Sequence, residues 1–397
     1  MPTGKISFKY ISKFPVKMYS RAVLLILLFC GYRISAQPVT LFQKGEAGYQ
    51  CFRIPAIMRT PSGTLLAFAE GRVNNCGDFG DVDIVMKRSH DQGKTWDELR
   101  VVAQNDTLQA GNPAPVFDLT DPRYPQGRLF LVYNTGNASE QHNREGKGVR
   151  EVLYMTSVDA GATWSVPTNI TKSVHRPFNP AYNPKYIAKE DWRSYANTPG
   201  HALQLTRGRH RGRLLIPANH SAGPPQKNFK DYRAHAFYSD DHGKTWKLSS
   251  VLDYPGSNES TAAQLSDGRV LINMRDQSGS RKYRLLAEST NGGKTWSPVR
   301  VETQLPDPVC EGSMLEVTGP DGKTAILFSN LDSQTKRENL TVYQSLDDAQ
   351  TWQKIKVVET GSAAYSDLVQ LTDSTLGILY ESDNYGKIIF ATFEVAF

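Results

Sequence analysis

The pattern Ser-x-Asp-x-Gly-x-Thr-Trp recurs along the chain and constrains its fold more than any other feature. It appears as SHDQGKTW (Ser89 to Trp96), SVDAGATW (Ser157 to Trp164) and SDDHGKTW (Ser239 to Trp246). Two variants follow, STNGGKTW (Ser289 to Trp296) and SLDDAQTW (Ser345 to Trp352), with Asn291 for Asp and Ala349 for Gly. Five of the six tryptophans lie in these boxes, which makes the repeat structural in origin. A short acid followed two residues later by Gly forms a tight turn, because the carboxylate accepts backbone N–H groups and Gly takes a positive φ. Thr and Trp then begin the next strand, and the indole is expected to pack on its own hairpin.

The boxes start on average about 64 residues apart. Residues 37–397 hold between five and six such intervals, which implies six units with one box lost. Between them lie short β-type runs such as TLLAFAEGR, DIVMKRS, RLFLVYN, RVLINMRD, TAILFSN and LGILYES. Several short strands per repeat with turns between them point to an all-β, six-bladed β-propeller over 37–397. In such a ring the inner strands share one axis, so functional residues are expected one or two per blade, converging at one mouth. Residues 174–200 carry little pattern and are expected to form a long surface or rim loop.

The net charge of +6 is a property of the N-terminus. Residues 1–36 hold Lys5, Lys9, Lys13, Lys17, Arg21 and Arg33 and no acid; the remainder is neutral. A neutral body has no footprint for nucleic acid or anionic lipid. Basic residues precede the apolar run AVLLILLFC, and ISA ends at Ala36, so 1–36 reads as a cleavable signal peptide, starting from Met1 or Met18. The expectation is a secreted or periplasmic protein without stable membrane insertion. Three cysteines remain, Cys51, Cys76 and Cys310. An odd count excludes a disulfide scaffold and leaves pairing open. No HExxH, CxxC or phosphate-loop motif occurs, so neither a cofactor nor a metal is expected. His201 is the one histidine suspected near the mouth. Six Asn-x-Ser/Thr sites occur, at Asn105, Asn137, Asn169, Asn219, Asn258 and Asn339; a glycan on Asn258 would block its neighbour Glu259.

In CFRIPAIMRT, Arg53 is the one cation of an apolar β-type run ahead of its final residues. It either reaches past Pro55 to solvent or waits for an anion. The FRIP motif followed by repeated boxes resembles the bacterial and animal sialidases, six-bladed propellers, over about Gln37 to Phe397. Such an enzyme must bind a carboxylate borne on the carbon that reacts, a task for planar, always-charged arginine. The resemblance assigns this clamp to Arg53, to Arg275 in RVLINMRD and to Arg337 in SQTKRENL.

A carboxylate nucleophile would be repelled by the substrate's own carboxylate, whereas a tyrosine approaches neutral and loses its proton as it attacks. By resemblance Tyr365 in GSAAYSDL is that nucleophile, 28 residues after Arg337, and Glu259 in SNESTAAQL takes its proton. The proton donor to the leaving oxygen belongs on a wet loop. NNCGDFGDVDIV offers Asp78, Asp81 and Asp83; Asp83 leads into a strand, Asp78 has the family's spacing from Arg53, and Asp81 is the fallback. Glu381 is expected to orient Arg53, and Arg72 and Asn112 to meet outer hydroxyls of the sugar.

The implied function is retaining exo-α-sialidase hydrolysis of sialylated glycoproteins, glycolipids or oligosaccharides by a monomer. The competing readings are transfer to another sugar or to the substrate's own hydroxyl, a sialic-acid-binding propeller, and a protein-interaction propeller. Asp78, Glu259 and Tyr365 weigh against the last two, since a binder needs only the arginines.

Overall fold

The box residues form the turn that their chemistry dictates. In a computed structural model that describes residues 1–7 and 37–397, Asp91 Oδ1 accepts the N–H groups of Lys94 (3.0 Å) and Thr95 (2.9 Å). Ser89 Oγ donates to Asp91 Oδ1 (2.8 Å) and accepts the Gly93 N–H (2.8 Å). The Thr N–H bond to the acid and the bond from residue 5 of the box to Ser Oγ recur in the other boxes, around Asp159, Asp241 and Asp347 and also around Asn291, which replaces the acid in the fourth.

As expected, Trp246 packs on Phe237 of its own hairpin (5.6 Å between ring centres) and the Trp96 indole donates to the Gly93 carbonyl (3.0 Å), but the tryptophans also reach further. Trp96 packs on Phe390 (5.2 Å between ring centres), Trp164 on Phe68 (6.3 Å) and Trp246 on Phe130 (6.2 Å), each in a neighbouring stretch of sheet. The glycine turn explains this further reach, because it tucks under that neighbour. A Cβ on Gly93 would lie 2.1 Å from Phe390, and one on Gly243 2.5 Å from Phe130. Each box is therefore a clamp between adjacent units.

The chain is all-β. Antiparallel meanders repeat along it, for example Cys51–Arg59, Leu65–Arg72, Val82–Ser89 and Arg100–Ala103. Both faces of the sheets are covered, so strands read as continuous apolar runs: every residue of Leu65–Arg72 is buried. The cores lie between successive meanders; one joins Val116, Phe130 and Val132 to Ile216, Phe237 and Trp246. The Gln353–Gln370 strand pairs with Glu338–Ser345 through its first half and with Thr375–Ser382 through its second. Val39–Gln43 then pairs with Lys387–Glu394, joining the two ends of residues 37–397.

One expectation on loops is corrected. Residues 174–200 contain the strand Trp192–Asn197, which pairs with Leu214–Ala222. Its side chains Ser194 and Asn197 are buried although polar, which erased the apolar alternation that marks a strand. The expected signal peptide falls outside the described residues except for 1–7, which are exposed and without helix or strand. Among the described residues no helix is long and apolar enough to cross a membrane.

Gly93→Ala should cost about 1–3 kcal/mol more than Gly45→Ala. Both glycines have positive φ, but a Cβ on Gly45 meets nothing within 4 Å. Chemical denaturation of the two variants measures the difference; equal losses would mean that the box does not clamp the neighbouring unit.

Candidate active site

The innermost strand of successive meanders carries a β-bulge at the same level. Residues 54 and 55 oppose 69, residues 112 and 113 oppose 133, and residues 193 and 194 oppose 221. Further on, Asn258 and Glu259 oppose Arg275, and Ala364 and Tyr365 oppose Glu381. A bulge bends its strand and re-aims side chains. Here it turns Ile54, Asn112, Ser194, Glu259 and Tyr365 into one cavity, also lined by Arg72, Asp78 and Arg275. The FRIP proline now has a reason. Pro55 has no N–H to offer a ladder and sits where the ladder is broken, as Pro113 does in the second inner strand. Ile54 has φ 58°, an outlier for a β-branched residue and typical of functional sites.

Tyr365 is buried, and its hydroxyl lies 2.7 and 2.8 Å from the two carboxylate oxygens of Glu259. Arg275 donates to the same hydroxyl (2.9 Å) and pairs with Glu259 (2.5 Å). Burial pushes the Tyr365 hydroxyl well above its ordinary value, against the pull of Arg275 and Arg337. Burial also raises Glu259, opposed by Arg275. The phenol thus holds its proton in the free site, with an acceptor already in contact.

Arg53 is buried and does not reach past Pro55 to solvent. Its Nε donates to Glu381 Oε1 (2.7 Å), and the same carboxylate accepts the N–H groups of Ile54 (2.8 Å) and Tyr365 (3.2 Å). Among the described residues Glu381 is its ion-pair partner. Tyr385 lies under the guanidinium at 4.2 Å. Arg337 donates to Tyr385 Oη (3.1 Å) and the Val309 carbonyl (2.8 Å), stands 5.7 Å from the Tyr365 ring centre, and has no carboxylate partner among the described residues. Three guanidinium groups therefore surround Tyr365 with more positive charge than their acids neutralise.

Asp78 stands at the rim, its side chain 69% exposed, bonded to Arg72 at 2.9 Å. Crowding on its inner side pushes it up, but Arg72, Arg53 and Arg150 outweigh this and hold it below the usual carboxylate value. Asp81 and Asp83 do not line the cavity; Asp83 accepts the Tyr49 hydroxyl (2.7 Å). Arg72 is spent on protein, donating to Glu70, the Cys76 carbonyl and Asp78. Asn112 presents a buried side chain to the cavity and gives its N–H to Glu70 (2.8 Å).

His201 is a correction. It lines a separate apolar cavity with Met58 and Met314. Its ring bonds Asp367 at 2.6 Å. Asn258 and Asn219 are buried, with Asn258 between Asn219 and Arg275, so neither has room for a glycan. Cys51 and Cys76 form a disulfide, and Cys310 is a buried thiol. Asp118, Asp121 and His242 have metal-ligand character but lie elsewhere, their acids engaged by Thr120, Gln204, Arg123 and Arg128. The sequence reading missed Glu70, Tyr385, Arg150 and Glu311. Glu70 stands two residues before Arg72 on one strand, a period-2 signal that was available; the others carry no local mark.

Glu381→Ala should destabilise the protein by roughly 3–5 kcal/mol, since it leaves buried Arg53 unpaired. Tyr365→Phe, which strips no charge of its partner, should stay within about 1 kcal/mol. Urea unfolding followed by tryptophan fluorescence reads both, and a neutral Glu381→Ala would sink the assignment.

The family described as BNR repeat-like domain matches residues 63–378. The sialidase of Micromonospora viridifaciens is 35% identical over 369 residues, covering 89% of this chain and 53% of that protein. Sialidase-2 of Cricetulus griseus is 31% identical over 384 residues, covering 90% of this chain and 95% of its own. The chain thus spans about half the length of the Micromonospora relative and nearly all of the Cricetulus one. Among solved structures, a Hadza microbial sialidase superposes with a TM-score of 0.76 at 27% identity, over 90% of this chain and 68% of that one. The bulged arginine strand, the repeated turns and these matches lead to one conclusion: the chain belongs to the sialidase family.

Proposed function

We propose that the chain is an exo-α-sialidase that hydrolyses terminal α-linked sialic acids with retention, on a propeller of six four-stranded blades. The observation that carries this reading is the Tyr365 hydroxyl held by Glu259 at 2.7 and 2.8 Å beside Arg275. A binding module would need the arginines alone. Arg53, Arg275 and Arg337 hold the substrate carboxylate, the anion that their excess charge calls for.

In the first step the Tyr365 oxygen bonds to the anomeric carbon and its proton passes to Glu259. The glycosidic bond breaks, and Asp78 gives its proton to the departing oxygen. Water then attacks the same carbon with Asp78 as base, the Tyr365–sugar bond breaks, and Glu259 returns the proton to the phenolate. Asp78 must be protonated to begin, yet the arginines hold it low in the free site. Docking of the substrate carboxylate on Arg53 removes one of those charges and excludes water, and both changes raise Asp78. We place the substrates among sialylated glycoproteins, glycolipids and oligosaccharides, and the protein outside the cytoplasm as a monomer, on the sequence features described above.

Residues 37–397 should release free sialic acid from sialyllactose, appearing first as the α anomer by proton NMR. Tyr365→Phe and Asp78→Asn should each lower kcat by at least about 100-fold on that substrate. A β anomer first would exclude the double displacement; an internal anhydro sugar or a sialylated acceptor would make the enzyme a transferase. The pH profile is a second test. Since Asp78 is raised on binding, the alkaline limb of kcat should lie at higher pH than that of kcat/KM, and coincident limbs would contradict the linkage.

A further inference from the structure

The cysteines stand two residues before two site residues, as Cys51-Phe52-Arg53 and Cys76-Gly77-Asp78. Their disulfide (Cα–Cα 5.2 Å, 25 residues apart in sequence) therefore fastens the rim loop to the strand that presents the buried arginine. The loop has little else. Residues 74–81 form no strand, Gly77 and Gly80 loosen the backbone, and Asn74, Asn75 and Asp78 are exposed. Its own hydrogen bonds stay local: Val73 N–H to the Asp81 carbonyl, Asp81 N–H to Asn74, and Gly77 N–H to Asn75. Arg72 adds two bonds, to Cys76 O and Asp78 Oδ1, from the base of the same loop. None of these reaches the Cys51–Arg59 strand, and the disulfide does.

We infer that the Cys51–Cys76 disulfide is a positioning element for the proton donor, holding Asp78 at a fixed height over the carbon whose carboxylate the arginines bind. The inference rests on the reading of Asp78 as general acid. A free loop of this composition samples many conformations, and a displacement of about 1 Å is enough to cost 100-fold in a proton transfer. Cys310 does not compete for the pairing. It is fully buried, and burial pushes its thiol up to about 12, so it is no nucleophile for disulfide exchange.

The test uses two leaving groups. A nitrophenyl sialoside departs without protonation, whereas the sugar of sialyllactose needs the acid. In Cys51→Ser/Cys76→Ser, kcat/KM on sialyllactose should fall roughly 10–100-fold while the nitrophenyl substrate stays within about threefold, with Asp78→Asn as the reference pattern. Inhibition by a sialic acid analogue bearing the carboxylate should be unchanged, since Arg53 keeps Glu381. Equal losses on both substrates would make the disulfide merely structural, and no loss on either would make it irrelevant to the acid. Either result overturns the inference while leaving the proposed function standing. Wild-type protein inactive on both substrates would instead overturn the proposed function and the inference with it. If the double variant does not fold, phosphine reduction and alkylation of the native protein replaces it, judged by the same ratio.

Discussion

Buried carboxylates that accept backbone N–H groups from a neighbouring inner strand are the interaction on which this site depends. Glu381 holds Ile54 and Tyr365, Glu70 holds Asn112, Glu311 holds Ser366, and Asp367 holds Ile57 and His201. At Ile54, Asn112 and Tyr365 a bulge frees the N–H group from the sheet ladder, and an unpaired buried N–H is costly. A carboxylate is equally costly when buried alone. Each resolves the other's penalty, and the result fixes one inner strand against the next at the level where the reactive side chains project. The fold thereby achieves a placement that individually weak side-chain contacts could not hold.

The same arrangement sets the electrostatics. Glu381 neutralises the Nε edge of Arg53, whose guanidinium stands 5.3 Å from the Tyr365 ring centre. Glu259 faces Arg275 and the Tyr365 hydroxyl together, so on the proposed reading the acid that accepts the proton is already stabilised by the cation that steadies the forming phenolate. A tyrosine nucleophile follows from the charge of the proposed substrate, because a carboxylate in its place would face another carboxylate across a short, poorly solvated gap. On the proposed reading, the arginines that bind that anion also hold Asp78 low until the anion arrives, which couples binding to the readiness of the acid.

How much of this could be read in advance depends on the range of the interaction concerned. The boxes were readable because their bonds span four residues, from Ser89 to Gly93 or Asp91 to Thr95. Arg53 stood out because the Ile-Pro that follows it marks a broken ladder. The tryptophans' contact with the neighbouring unit was missed because Phe390 lies almost 300 residues from Trp96 and no local pattern names it. The Trp192–Asn197 strand was hidden because a strand facing a polar cavity need not alternate. His201 was placed in the wrong cavity, since its position is set by Asp367, 166 residues away in sequence. The site residues themselves came from resemblance, and the geometry brings Asp78, Glu259, Arg275 and Tyr365 to one cavity with Arg53 and Arg337 beside them.

The central claim is that Tyr365 forms the bond to sugar carbon, and the most direct measurement is to trap that bond. A fluorinated sialosyl fluoride, whose ring fluorine slows breakdown of a covalent adduct, would be incubated with residues 37–397 and the protein examined by intact mass and peptide mapping. The account requires one sugar per chain, carried on the phenolic oxygen of Tyr365 and absent from Tyr365→Phe. An adduct on Glu259 or Asp78, or inhibition with no adduct at all, would contradict it.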